Sequence, residues 1–278
     1  MERKKPVMWG RHITVRFGEG CDYCRTHTNL EKGRCPKCHT IWAVRDVDFQ
    51  VYPGEILGIV GESGSGKSTL LKTLYFDQQA TSGEAYLSLY HEGKENFLNV
   101  SSQQKRYLRN HMMGMVYQNP MLGLRMKLSS GANIAEKLIA AGGRDAGRMI
   151  DRSIELLHHV EIPTERLRDQ PRVFSGGMQQ RVQISKAIAN TPPILLLDEV
   201  TTGLDLSVQA KVLDLIRSIQ KELGIAMLIV SHDLAVIRMM SDRTMVMLGG
   251  RVVEEGLTDQ ILEDPLHEYT QTLVSSLL

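Results

Sequence analysis

Gly61-Glu62-Ser63-Gly64-Ser65-Gly66-Lys67-Ser68 places a glycine, four residues and then Gly-Lys-Ser between two patterned segments. Before it, Glu55-Ile56-Leu57-Gly58-Ile59-Val60 is a short apolar run that suits a strand buried on both faces. After it, helical periodicity runs from Lys67 to about Phe76. Strand, glycine loop, helix is the setting a phosphate-binding loop requires; a Gly/Ser-rich turn with no ligand is the rival reading, and it lacks a reason for the Lys-Ser ending. Glycines let successive backbone N–H groups turn onto phosphate oxygens, and the helix N-terminus adds partial positive charge. Lys67 is expected to reach the β and γ phosphates of ATP and Ser68 to offer its hydroxyl to Mg²⁺. Gly61, Ser63, Gly64, Ser65, Gly66 and Thr69 complete the expected nucleotide cradle.

On the N-terminal side, Arg11 to Phe17 and Val44 to Val51 alternate in the manner of half-buried strands, which predicts a small antiparallel sheet. On the C-terminal side, Asn119 to Ala189 shows helical periodicity, in Ile134 to Ala141 and Met149 to Val160, and no convincing strand. Strand-like runs return at Ile194 to Leu197, Ala226 to Val230 and Thr244 to Leu248, with an amphipathic helix from Val208 to Leu223. That alternation predicts a largely parallel sheet. The run Ile194-Leu195-Leu196-Leu197 ends in Asp198-Glu199. A strand ending in two acids is common, but after a phosphate loop Asp198 is expected to hold the metal and Glu199 to polarise the attacking water.

Phe174-Ser175-Gly176-Gly177-Met178-Gln179-Gln180-Arg181 sets a serine and two glycines just before a helix, a second anion-binding N-terminus that one protomer's nucleotide does not need. The order resembles the signature of the ATP-binding-cassette family, in which Leu-Ser-Gly-Gly-Gln contacts the γ-phosphate held by the opposite protomer. Phe174 and Met178 stand where that family has Leu and Gln; the Ser175-Gly176-Gly177 core is intact. Further elements follow the family's order: Gln118 in Tyr-Gln-Asn-Pro, Asp205 in Thr202-Gly-Leu-Asp205, and His232 in Ser-His-Asp. The resemblance implies that Gln118 senses metal and water, Asp205 couples protomers and His232 touches the γ-phosphate. It also implies an aromatic under the adenine at the end of the first strand, Phe17 first and Trp42 second, with core packing as the rival role for both. Val200 replaces the family's usual proline after the acids, which frees the turn's φ.

All four cysteines lie within Cys21-x₂-Cys24-x₁₀-Cys35-x₂-Cys38. Two such knuckles can close four thiolates around Zn²⁺ with no open position, which predicts a structural site. An iron–sulfur centre, redox-active thiols, bare cysteines and disulfides are the rivals. Arg25, His27, Lys32, Arg34, Lys37 and His39 give the knuckles a basic surface, either a docking face or simply solvated. The segment reads as an insertion over residues 19–41 in a single domain of 1–278, with an α-helical subdomain over 119–190. The resemblance implies an α/β phosphate-loop NTPase with a RecA-like core, an antiparallel β subdomain and the helical subdomain, to which the cysteine spacing adds an inserted Cys₄ zinc-ribbon-like hairpin.

The chain has 278 residues, 42% of them hydrophobic, enough to fill such a core. With 33 Lys+Arg against 32 Asp+Glu, no overall charge marks it for nucleic acid or acidic lipid. Its longest apolar runs fall far short of the ~20 residues of a membrane span. The start, Met1-Glu-Arg-Lys-Lys-Pro6, has basic residues but no apolar stretch of a secretory signal. A cytoplasmic ATPase is expected. Within its family the chain resembles oligopeptide-importer ATPases in Gly61 to Thr69, Asp205-Leu-Ser-Val-Gln209 and Asp264-Pro-Leu-His-Glu-Tyr-Thr-Gln271. It resembles more closely the ATP-binding subunits of the carbon–phosphorus lyase, in Asn119 to Arg125, Gly131 to Leu138, Phe174 to Arg181 and Glu254 to Asp259. The latter resemblance implies a homodimer or a pair with a related protomer, docked on the lyase core without entering a membrane. An importer subunit with membrane partners is the alternative, and a zinc-bearing nucleic-acid-associated ATPase is a weaker third.

Overall fold

A computed structural model describes residues 5–27 and 30–275; the basic start Met1 to Lys4, and Thr28 and Asn29 of the cysteine segment, lie outside the described residues. The strands are β1 (Met8–Phe17), β2 (Ile41–Val51), β3 (Ile56–Val60), β4 (Ser82–Leu87), β5 (Met113–Val116), β6 (Ile194–Asp198), β7 (Ala226–Val230), β8 (Arg243–Leu248) and β9 (Arg251–Leu257). The helices are α1 (Asp22–Thr26), α2 (Lys67–Leu74), α3 (Ser102–His111), α4 (Pro120–Gly123), α5 (Ser130–Ala140), α6 (Ala146–His159), α7 (Gly176–Ile188), α8 (Leu206–Leu223), α9 (Leu234–Met240), α10 (Thr258–Glu263) and α11 (Glu268–Ser275). They fall into two compact units, residues 1–101 with 226–278, and residues 102–225.

The first unit holds two sheets. β2, β1 and β4 form an antiparallel sheet in that order, with Met8 opposite Val51 and Leu87. Along β2, Arg45, Val47, Phe49 and Val51 are buried while Asp46, Asp48 and Gln50 are exposed, the alternation that fixes register when one face meets a core. The second sheet runs β7, β3, β8, β9, parallel through β8. β9 closes it antiparallel to β8, so the sheet is largely parallel, as expected, with one antiparallel edge strand. β3 and β7 are buried along their whole length, as strands covered on both faces must be.

The second unit pairs β5 with β6 in parallel and is otherwise helical. α5 and α6 begin at Ser129 and Asp145, whose side chains accept from the N–H groups of Ala132 and Arg148, satisfying first-turn donors that no helical carbonyl can reach. Between Asn119 and Asn190 the described elements are helices and turns.

Candidate functional site

In the first unit, β3 runs into the phosphate loop and the loop into α2. The loop's course depends on left-handed glycines: Gly61, Gly64 and Gly66 have φ of 144°, 85° and 104°. At two of them backbone also comes too close for a side chain. A Cβ at Gly61 would lie 2.1 Å from Met247 O, and one at Gly66 1.9 Å from Ala43 O. Lys67 is buried, with Nζ donating to the carbonyls of Gly61 and Glu62 at 2.7 and 2.8 Å and lying 3.4 Å from Ser65 Oγ. Its ammonium is thus aimed along the loop's inner edge.

β7 lies beside β3, with Val230 opposite Ile59, so His232 leaves its strand at the end where the phosphate loop leaves β3. In open parallel sheets that carboxyl end is where ligands bind. His232 is exposed, and the turn carrying it is fixed by Ser231 Oγ accepting from Asp233 N at 3.0 Å and Asp233 Oδ1 accepting from Ala235 N at 2.8 Å. Phe17 ends β1 exposed opposite Ile41, also exposed. Trp42, the second candidate for the adenine, has the guanidinium carbons of Arg45 and Arg16 over its ring at 4.6 and 5.7 Å from the ring centre.

In the second unit the structure brings Gln118 and Glu199 together: Gln118 Nε2 donates to Glu199 Oε2 at 3.1 Å. Thr202 Oγ1 donates to the same oxygen at 3.2 Å. Glu199 has a φ of 45°, a conformation that costs a non-glycine residue energy and that accumulates at functional sites. Asp198, the last residue of β6, is buried and Val200 behind the pair is buried too. Ser175 is the N-cap of α7, its hydroxyl accepting from Met178 N at 3.4 Å, and Ser175 and Gly176 are exposed. Gly177 is buried against α8, where a Cβ would lie 2.3 Å from Val208 Cγ1. Asp205 caps α8, and the Val208 N–H at 3.0 Å, then the Ser207 hydroxyl at 2.7 Å, hold its carboxyl below the usual carboxylate range. Its side chain therefore has a helix to hold as well as a place in the Thr202–Asp205 loop.

A family profile described as ABC transporter matches residues 44–202. The chain is an ATP-binding-cassette ATPase. The phosphonates utilization ATP-binding protein PhnK of Escherichia coli (strain K12) is 48% identical over 233 residues, covering 84% of this chain and 90% of that protein. The oligopeptide transport ATP-binding protein OppF of Lactococcus lactis subsp. lactis (strain IL1403) is 40% identical over 237 residues, covering 85% and 72%. Among solved structures, the dimeric post-hydrolysis state of the ATP-binding cassette MJ0796 bound to ADP and Pi is similar with a TM-score of 0.75 at 27% identity, covering 90% of this chain and 98% of that one. No described helix of the ATPase is long and apolar enough to cross a membrane.

The cassette's cysteine segment brings all four thiols together between β1 and β2. Their sulfurs lie within 4.8 Å of one another, with Cys21–Cys24 at 3.9 Å, Cys21–Cys35 at 3.7 Å and Cys24–Cys38 at 3.8 Å. A tetrahedron of thiolates about 2.3 Å from one Zn²⁺ has edges of about 3.8 Å, so the spacing fits a single ion. It is too long for S–S bonds, which need about 2.05 Å, and the cysteines are free thiols. Backbone N–H groups of Cys21 and Cys38 donate to Cys24 and Cys35 sulfur at 3.2 and 3.5 Å. The Thr40 hydroxyl and N–H hold the Cys38 thiol down to about 6, whereas desolvation and bonding among the thiols, opposed by the Cys24 N–H, push Cys21 up to about 11. A metal would displace those protons.

Three further groups of the ATPase position its site, a glutamine pair, a tyrosine and an arginine, none of them an expected site residue. Gln183 of α7 accepts from Tyr117 N at 2.8 Å and donates to Tyr117 O at 3.0 Å, while Gln180 donates to the same carbonyl at 3.3 Å. Two buried glutamines of the signature helix thereby clamp the residue before Gln118. Tyr269 Oη of α11 accepts from Glu62 N at 2.8 Å, bracing the phosphate loop. Arg45, the third, is buried on the apolar phase of β2, and an arginine at that phase is the one signal the sequence offered.

Proposed function

We propose that two protomers enclose two MgATP and that their closure and hydrolysis remodel the carbon–phosphorus lyase core during phosphonate breakdown. The observation that carries this reading is the match to the phosphonates utilization protein at 48% identity across 90% of its length, against 40% across 72% of the oligopeptide transport protein. The dimeric state of the similar cassette MJ0796 supports the pairing. So does the exposed N-terminus of α7 at Ser175 and Gly176, which faces solvent ready to meet a second molecule's nucleotide. Each protomer contributes two half-sites.

In this reading Lys67 and the loop amides hold the β and γ phosphates, Ser68 and Asp198 hold Mg²⁺, and Glu199, oriented by Gln118, takes the proton of the attacking water. Ser175, Gly176 and Gly177 of the opposite protomer and His232 neutralise charge developing on the γ-phosphate. Asp205 links its loop to the partner, and Phe17 packs against adenine. Cys21, Cys24, Cys35 and Cys38 hold one structural Zn²⁺. The setting is cytoplasmic.

Affinity purification from native cells grown on a phosphonate as phosphorus source tests the assignment. Recovery of soluble lyase subunits in stoichiometric amounts is the expected result. Recovery of membrane-spanning importer subunits in their place overturns it in favour of peptide import.

A further inference from the structure

The cysteine hairpin and the phosphate loop are joined through the first unit by a short chain of hydrogen bonds. Arg45 donates from Nη2 to Cys24 O at 3.1 Å and from Nη1 to His27 O at 2.9 Å, so its side chain is held by the carbonyls of the first cysteine knuckle. Its backbone N–H donates to Gly250 O at 2.7 Å, and Gly250 N donates to Ser65 O at 3.1 Å, inside the phosphate loop. From the carbonyl of a thiol-bearing residue to the loop there are three hydrogen bonds.

Steric contacts follow the same route. A Cβ at Gly33, in the hairpin, would lie 2.8 Å from Trp42 O and 3.3 Å from Gly249 O; one at Gly250 would lie 2.5 Å from Trp42 O. One at Gly66 would lie 1.9 Å from Ala43 O. The backbone of Trp42 and Ala43 is therefore pressed among the cysteine hairpin, the Gly249–Gly250 turn that joins β8 to β9, and the phosphate loop. Close-packed backbone transmits a shift because it has no void to absorb it.

The hairpin itself has little else to order it. Its helical turns are α1, five residues, and Glu31–Gly33, three residues, and among the described residues the apolar side chains it buries are those of Cys24 and Cys35. Segments so poor in core take their order from a bound metal. Without it the carbonyls of Cys24 and His27 are no longer fixed, and a buried guanidinium does not tolerate losing its acceptors. β2 must then move, and Gly250 and Ser65 move with it.

We propose that metal occupancy of the four cysteines sets the affinity of the phosphate loop for MgATP, with Arg45 as the positioning residue that couples them. The proposal rests on the reading that the thiolates hold Zn²⁺ and the loop holds MgATP. Because coupling between two binding equilibria is reciprocal, MgATP must raise the affinity for Zn²⁺ by the factor by which Zn²⁺ raises that for MgATP.

The test uses the full chain with Zn²⁺ counted by elemental analysis. MgATP affinity is measured by calorimetry before and after the metal is removed under reducing conditions, and Zn²⁺ affinity by chelator competition with and without MgATP. We expect each affinity to fall about fivefold or more when the other ligand is withdrawn, the lower end of ordinary coupling. Arg45→Met, which keeps all four thiols and stays loaded with Zn²⁺ throughout, should bind MgATP as weakly as the stripped wild type and respond to metal no further. This variant decides the matter even if the stripped chain unfolds. Equal MgATP affinity in zinc-loaded wild type and zinc-loaded Arg45→Met overturns the coupling, as does Zn²⁺ affinity indifferent to MgATP. A chain that never holds Zn²⁺ near one per molecule fails the zinc reading, and one that holds Zn²⁺ but no MgATP fails the nucleotide reading, so neither is confused with a failure of the coupling alone.

Discussion

Gln118 Nε2 lies 3.1 Å from Glu199 Oε2, a hydrogen bond across 81 residues of chain that ties the Tyr-Gln-Asn-Pro loop to the acid pair ending β6. A neutral amide donor orients a carboxylate without cancelling its charge, which is what a general base needs. Glu199→Gln removes the basic oxygen and keeps the shape. ATP turnover is expected to fall about 10²–10⁴-fold, the usual contribution of a general base, with MgATP affinity retained and the protomer pair trapped closed. Phosphate release and size-exclusion chromatography with ATP check both halves, and unchanged turnover would remove Glu199 from the reaction.

Gln183 holds Tyr117, and so the approach to Gln118, through two backbone hydrogen bonds at 2.8 and 3.0 Å. Gln183→Leu fills the same volume but removes both of these hydrogen bonds, at about 1 kcal/mol each. A lower melting temperature is expected, together with a fall in kcat larger than the change in KM, because Gln118 loses its anchor rather than the nucleotide its cradle. Steady-state kinetics and a thermal melt separate these; a change confined to KM would contradict the positioning role.

Local features are legible in the amino-acid sequence: the strand, loop and helix from Glu55 to Leu74, the buried runs of β6 and β7, and the cap-and-glycine start of α7 each carry their own pattern. β5 is four residues of Met-Gly-Met-Val, too short for a period, and β9 carries Glu254 and Glu255 and exists as a strand by pairing with β8. In the candidate site the motif residues can be named from their order, but not the groups that place them. Tyr269 meets Glu62 across 207 residues and Gln183 meets Tyr117 across 66. Such contacts belong to tertiary packing, and a tyrosine or a glutamine in an amphipathic helix gives no sign of them. Arg45 alone betrays itself, as a charge on the buried phase of a strand.

Gly64 and Gly66 both need left-handed backbone, yet they should not tolerate alanine equally. A Cβ at Gly64 meets no protein atom within 4 Å, so Gly64→Ala carries only the conformational cost, about 1–2 kcal/mol. Gly66→Ala drives the same methyl to 1.9 Å from Ala43 O and must displace β2. Denaturant melts should show the larger loss at Gly66, with MgATP affinity at least tenfold below wild type. Equal losses at the two positions would mean the loop is not pressed against β2.

Lys137 of α5 is buried, its ammonium donating to the carbonyls of Arg109 and Met113. Desolvation first, then the charges of Lys186 and Arg109, push it down to about 8 from the ordinary 10.5. Between those two values the unfolded chain keeps the proton that the folded chain has shed, so raising the pH through this window favours folding. The shift corresponds to about 3 kcal/mol by the time the window is crossed, at about 1.4 kcal/mol for each tenfold change in proton affinity. Lys137→Met retains most of the apolar stem and cannot titrate. The stability of wild type minus that of Lys137→Met is therefore expected to climb from pH 8 toward pH 10 and to be flat below pH 7, read from urea melts at each pH. A difference that stays level from pH 7 to 10 would show that the buried ammonium keeps its proton, held by the two carbonyls strongly enough to offset its loss of water.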